Sequence, residues 1–293
     1  MKKPSFFIVG APKCGTTSLY NWVSSHDGVY MSPVKEPCYF NTDDGHTNVR
    51  SIEQYESLFE DVKGNHKAVG EASVWYLQSK EAIENIKKYN PDSKFVICVR
   101  DPIEMAVSLH EQQLFSGNEY IESFEKAWRA QIDRKGGRKL SVWTREPKHL
   151  IYGDICRVGL QIENVLKYCN KKDVKIIFLE DIKENPEKVY SEVLKFIGVE
   201  DKNEQKNFTA KNKGGKVRKS RVLRILSRSI HMIKNYMGVY KGMGIGKKIY
   251  DMNTKRKKRS SIDEGLKQEM KKYFRKDIIR LEKITKRDLS CWY

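Results

Sequence analysis

The chain has 293 residues and a formal net charge of +18, long enough to bury a substantial core in one large domain. No stretch approaches the roughly 20 apolar residues of a membrane span, which excludes a bilayer-crossing helix. The charge is uneven: between Lys216 and Arg259 stand 15 Lys or Arg against one acid, Asp251, while the remainder is nearly balanced.

Met1-Lys2-Lys3-Pro4 runs directly into an apolar stretch too short for a secretory signal, so none is expected. Cys14, Cys38, Cys98, Cys156, Cys169 and Cys291 show neither paired nor metal-ligand spacing. Reduced thiols in a cytoplasmic protein are therefore the expectation.

Ser5 to Val9 is an apolar run of strand type, followed at once by Gly10-Ala11-Pro12-Lys13-Cys14-Gly15-Thr16-Thr17. Ser18 to Val23 continues at helical spacing, with Leu19, Trp22 and Val23 on one face. Strand, glycine-bounded loop and helix start form the context that cradles a phosphate. The loop is close to a Walker A sequence, but Thr16 stands where the ATP-binding lysine belongs and Lys13 lies inside the loop. A tight structural turn with two glycines is the alternative. The stretch resembles the 5′-phosphosulfate loop of sulfotransferases that use 3′-phosphoadenosine 5′-phosphosulfate (PAPS), a P-K-x-G-T-[ST] sequence between the first strand and the first helix. That resemblance implies 5′-phosphate contacts from Pro12, Lys13, Cys14, Gly15, Thr16, Thr17 and Ser18.

Gly28 to Ser32 reads as a second strand, followed by Pro33-Val34-Lys35-Glu36-Pro37-Cys38-Tyr39-Phe40, which two prolines hold extended. Lys35 and Glu36 are either a solvated ion pair or reactive groups just past a strand end. K-E-P-x-[YF]-F is similar to the carbohydrate-type sulfotransferase segment that carries the catalytic base, which maps onto Glu36. Cys38 replaces a histidine that is common there.

Ser51 to Val62 is helical in pattern. Gly70-Glu71-Ala72-Ser73-Val74-Trp75-Tyr76-Leu77 resembles the family's G-E-x-S-x-x-Y-L stretch, with Val74 in place of a common proline. A strand ending at Gly70-Glu71 would bring Glu71 and Ser73 to the same edge as Lys13. Trp75 and Tyr76 either stack on a purine or cover the core. Ser79 to Tyr89 is a helix, and Lys94 to Val99 is a continuous apolar run typical of a strand buried on both faces. Arg100-Asp101-Pro102 ends that run, and Asp101 caps a helix from Ile103 to about Phe115. An arginine at this strand end suits a phosphate fork, where a magnesium-dependent kinase usually places an aspartate. R-D-P-x-x-x-x-x-S resembles the 3′-phosphate element of PAPS enzymes, which maps onto Arg100 and Ser108.

Ile121 to Arg134 is a further helix, and Gly136 to Pro147 a loop region. Asp154 to Tyr168, Val174 to Leu179 and Pro186 to Ile197 read as helix, strand and helix, the last ending at Gly198. Phe178 to Ile182, Phe196 to Val199, and Tyr273 through Trp292 resemble later landmarks of the family. The resemblance implies an α/β fold: a P-loop-NTPase-like three-layer sandwich, its central parallel sheet flanked by helices. A basic, mostly helical C-terminal elaboration is added to it. Residues 1–293 form a single sulfotransferase domain in this reading, with 207–260 as a basic insertion. Lys216 and Arg218 are candidate nucleotide contacts, and Val222 to Ile230 is either a helix packed on the body or one lying on an anionic membrane. Nucleic acid is disfavoured, since no recognised binding motif accompanies the charge.

The reaction so implied is sulfuryl transfer from PAPS, leaving adenosine 3′,5′-bisphosphate, to a hydroxyl or amine of a sugar-containing acceptor. Lys13 stabilises the leaving phosphate and Glu36 is the base. The sulfuryl group carries less charge than a phosphoryl group, so no metal is demanded. An ATP-dependent P-loop kinase and a non-catalytic binder of membranes or anionic polymers are the alternatives. Peripheral membrane contact would run through residues 216–259.

Overall fold

The structure, a computed structural model, describes residues 3–201, 208, 216–218, 254–256 and 262–293, with backbone alone for 216–218 and 254–256. Five parallel strands form one sheet: β1 (Phe6–Gly10), β2 (Val29–Met31), β3 (Ala68–Ala72), β4 (Lys94–Val99) and β5 (Val174–Phe178). Their order is β2-β3-β1-β4-β5, so the strand that feeds the glycine loop lies at the centre. Every residue of β1 and β3 is buried, as are all of β4 after Lys94. A strand buried at each position is covered on both faces, which is why these segments read as unbroken apolar runs and not as alternation. Strand contact is close enough that a Cβ on Gly70 would lie 2.3 Å from the Phe6 ring.

The helices are α1 (Thr16–Val23), α2 (Ile52–Ser57), α3 (Ala82–Tyr89), α4 (Pro102–Ser116), α5 (Phe124–Arg129), α6 (Gln131–Lys135), α7 (Tyr152–Ile155), α8 (Val158–Val165), α9 (Leu179–Glu184), α10 (Pro186–Ile197) and α11 (Glu264–Thr285). α1 buries Leu19, Trp22 and Val23 as their spacing predicts. α10 starts on Pro186 and ends at Gly198 in the left-handed region, as the sequence indicates.

Helices depart from expectation at several places. The Ser51–Val62 pattern yields only α2, Ile52–Ser57, and two further cases have a local and a distant reason respectively. The predicted helix Ile121–Arg134 is two, α5 and α6, because the Ser123 hydroxyl caps at Lys126 N–H and Ala130 ends the first helix. The helix predicted from Asp154 starts properly only at Val158. Its first turn is capped from far along the chain, where the Asp277 carboxylate accepts Gly159 N–H and Leu160 N–H at 2.8 Å each.

The chain divides into two compact units, one comprising Met1–Met105, Ile155–Asn212 and Met270–Tyr293, the other Ala106–Asp154 and Lys213–Glu269. The first contains the sheet. The second holds α5, α6 and a fully buried ion pair, Arg134 with Glu119 at 2.7 Å. Tyr152 Oη donates to Glu119 at 2.8 Å and Arg134 Nη1 to Leu150 O at 3.0 Å, which adds bonds around the desolvated pair, while Arg134 Nε has no partner among the described residues. Within the basic insertion, β6 (Lys216–Arg218) pairs antiparallel with β7 (Thr254–Arg256). The predicted helix Val222–Ile230 lies outside the described residues.

Candidate active site

The glycine loop leaves β1 and enters α1 through backbone that few residues adopt. Lys13 has φ 68° and Gly15 φ 93°, both left-handed. Gly15 is the N-cap of α1, no side chain caps that helix, and no acid stands in its first turn. First-turn N–H groups and the positive end of the dipole are thus left to serve an anion. A Cβ on Gly15 would meet Leu179 and Ile182 at 3.0 Å, so the cradle has no room for a side chain there. Thr16 and Ser18 are buried and Thr17 is half-buried. Pro12 is buried and has no N–H. Cys14 turns its thiol inward, to Pro12 O at 3.5 Å and the Met105 sulfur at 3.8 Å, and burial pushes its pKa well up. Cys14 therefore offers backbone to a ligand, and its thiol is inert.

Arg100 follows β4 at the same end of the sheet and is 8% exposed. Its Nη1 donates to Lys13 O at 3.3 Å, so the second motif touches the first. Its Nε and Nη2 both donate to Glu104, at 3.1 and 2.6 Å. Glu104, four residues on along α4, is a partner of Arg100 that the sequence reading does not name. Asp101 caps α4 as expected, accepting Ile103 N–H at 2.7 Å and Glu104 N–H at 3.3 Å. Ser108 is buried on α4 and belongs to the second compact unit. Lys216 and Arg218 stand on β6 of that unit, described by backbone alone.

Glu36 is pinned to the neighbouring strand end. Its N–H donates to Ala72 O at 2.8 Å, and Asn48 Nδ2 donates to its carbonyl at 2.7 Å. These bonds hold Glu36 at φ 64°, and nothing in the sequence singles out Asn48. Glu36 Oε2 accepts Val74 N–H at 3.2 Å, and Oε1 pairs with Lys35 at 3.1 Å. The ion pair and the strand-end placement thus coexist. Cys38 has φ 51°, and its N–H donates to Ser73 Oγ at 3.1 Å. Five described residues other than glycine have positive φ, and Lys13, Glu36 and Cys38 are three of them. Backbone strain of that kind concentrates at functional sites.

The core reading of Trp75 and Tyr76 is the one realised, at 9% and 0% exposure. β3 runs one residue past the expected end, which places Glu71 inside the strand, opposite Phe7 and fully buried. Burial pushes its pKa up to about 8, against the pull of the Tyr55, Ser73 and Tyr76 hydroxyls; the Glu36 charge adds to the rise. Folded Glu71 thus keeps its proton through a pH range in which the unfolded carboxyl, near 4.5, gives its own up. Between those values the folded state binds more protons, so stability falls as pH rises and levels off above about 8. Each unit of separation is worth about 1.4 kcal/mol. Melting curves from pH 5 to 9 are expected to show this decline in the wild type and a flatter one in Glu71→Gln; parallel curves would refute it.

The Sulfotransferase domain family matches residues 3–281. The membrane-associated sulfotransferase kil1 of Dictyostelium discoideum is 29% identical over 36% of this chain and 22% of its own length. Mouse carbohydrate sulfotransferase 15 is 27% identical over 36% of this chain and 26% of its own. The mouse bifunctional heparan sulfate N-deacetylase/N-sulfotransferase 4 is 26% identical over 67% and 22%. The chain therefore spans about a quarter of the length of these curated relatives. The crystal structure of a sulfotransferase from Alicyclobacillus acidocaldarius shares the fold, with a TM-score of 0.74 at 24% identity over 100% of this chain and 99% of that one.

These relatives correct the cytoplasmic expectation, since one of them is membrane-associated by name. The expectation rested on cysteine spacing and on Cys98 in a core strand, which report no compartment here: Cys14, Cys38, Cys98 and Cys156 are free and buried. Among the described residues no helix is long and apolar enough to cross a membrane. With its family match spanning nearly all of its length and a P-loop-like parallel sheet beneath the glycine loop, the chain belongs to the sulfotransferase family of enzymes.

Proposed function

We propose that this sulfotransferase draws its sulfuryl group from PAPS and delivers it to a hydroxyl or amine of a carbohydrate or glycoconjugate. The contact between Arg100 and the carbonyl of Lys13 carries the reading, because it sets a guanidinium fork beside an uncapped helix start. Backbone N–H groups from Lys13 to Thr17, with the Thr16, Thr17 and Ser18 hydroxyls, would receive the 5′-phosphate. Arg100 would receive the 3′-phosphate, which ATP lacks. The Lys13 ammonium would neutralise charge on the departing phosphate, and Glu36 would take the acceptor's proton. Relatives named for carbohydrate and heparan sulfate sulfation support a sugar acceptor. The kinase alternative sits poorly with Thr16 and Arg100 at positions where such enzymes place lysine and aspartate.

Titration calorimetry with adenosine 3′,5′-bisphosphate, adenosine 5′-monophosphate and Mg-ATP tests this. The wild type is expected to prefer the bisphosphate, and Arg100→Ala to lose about 30-fold or more of that affinity. The monophosphate should be bound equally by both, which controls for damage to the loop. Tighter binding of Mg-ATP, or an unchanged bisphosphate affinity in Arg100→Ala, would overturn the donor assignment.

A further inference from the structure

We infer that Glu71 is a positioning residue for Glu36, acting through the hydroxyls of Ser73 and Tyr76 on the backbone of Cys38, Tyr39 and Phe40. The inference rests on Glu36 being the base. Three consecutive N–H groups of the strained segment end on these hydroxyls. Cys38 N–H donates to Ser73 Oγ at 3.1 Å, and Tyr39 and Phe40 N–H donate to Tyr76 Oη at 2.9 and 3.3 Å. A tyrosine hydroxyl that accepts two such bonds has its own proton left to place. Tyr76 donates it to Glu71 Oε2, at 3.5 Å. The Ser73 hydroxyl also acts on the Glu71 carboxyl.

Glu71, Ser73 and Tyr76 are each 0% exposed, so bulk water does not compete for these bonds. Glu71 is thus the acceptor that orients two hydroxyls, and the hydroxyls hold the loop just after Glu36. A loop carrying two left-handed residues needs such a hold to keep one conformation.

The titratable groups facing Glu71 are Tyr55 of α2, Tyr76 beyond β3, and Glu36 and Cys38 of the clamped segment. None is a cation. Ionisation of Glu71 sets a second negative charge beside the Glu36 carboxylate and draws the Ser73 and Tyr76 hydroxyl protons more tightly, so the surroundings of Glu36 change as that proton leaves.

Hydrogen exchange of the free protein and pH profiles of kcat test the clamp together. Tyr76→Phe keeps the ring and removes the hydroxyl. It is expected to speed exchange at Tyr39 and Phe40 and to lower kcat roughly 100-fold, with KM for the donor unchanged. Glu71→Gln keeps an acceptor but cannot ionise, so it should keep that amide protection. It should also abolish the change in kcat expected near pH 8 in the wild type. Unchanged amide exchange in Tyr76→Phe, or the same pH profile in Glu71→Gln and wild type, would overturn the inference. The exchange experiment makes no reference to proton abstraction. Full turnover in Glu36→Gln beside lost protection in Tyr76→Phe would instead locate the failure in the assignment of the base.

Discussion

Glu36→Gln is expected to lower turnover by roughly 100- to 10,000-fold while leaving adenosine 3′,5′-bisphosphate affinity unchanged. The substitution is nearly isosteric. A glutamine oxygen still accepts Val74 N–H, and the backbone bonds to Ala72 and Asn48 do not involve the side chain. What goes is the capacity to take a proton, together with the ion pair to Lys35. That pair is partly exposed, at 26% and 21% of the two side chains, so its loss is worth about 1 kcal/mol or less. A large fall in single-turnover rate beside a small change in Tm therefore isolates proton transfer. Comparison with Lys35→Met separates the two contributions further, since that variant removes the pair and keeps the carboxylate. Normal single-turnover rates in Glu36→Gln would remove the residue from its role.

The elements that position this site could be read from the sequence because each depends on near neighbours. β1, the glycine loop and α1 are contiguous, and the cap of α4 lies one residue before its helix. Arg100 was legible for the same reason, as the residue at which a buried run stops. The backbone of Lys13, Glu36 and Cys38 was not legible. L-residues avoid left-handed angles, and no local pattern announces them. At Glu36 they are imposed by partners from other elements, Asn48 and Ala72. The start of α8 was hidden likewise, since its capping carboxylate lies on α11. Glu71 was visible as a motif residue. Its burial followed from β3 extending to Ala72, a single-residue change in strand length. Spacing thus locates groups at a strand end, while their electrostatic state depends on packing from elsewhere.

Lys13→Ala is expected to lower kcat by about 100- to 1,000-fold, the range for removing one electrostatic donor worth about 3–4 kcal/mol. Bisphosphate affinity should fall far less, because the N–H groups of the loop and the uncapped start of α1 remain. One complication is built into the position. Lys13 holds φ 68°, so a substitution could act through the backbone and not through charge. Lys13→Gly resolves this: it removes the same ammonium but relieves left-handed strain of about 1–2 kcal/mol. If the ammonium matters, Ala and Gly variants lose turnover alike and Lys13→Arg recovers part of it. If loop geometry matters, Gly and Ala diverge and Arg behaves as Ala. Arg100 makes the distinction sharper, since its bond goes to the Lys13 carbonyl and survives all three substitutions. Wild-type turnover in Lys13→Ala, measured with saturating donor and acceptor, would exclude the ammonium from the transfer step.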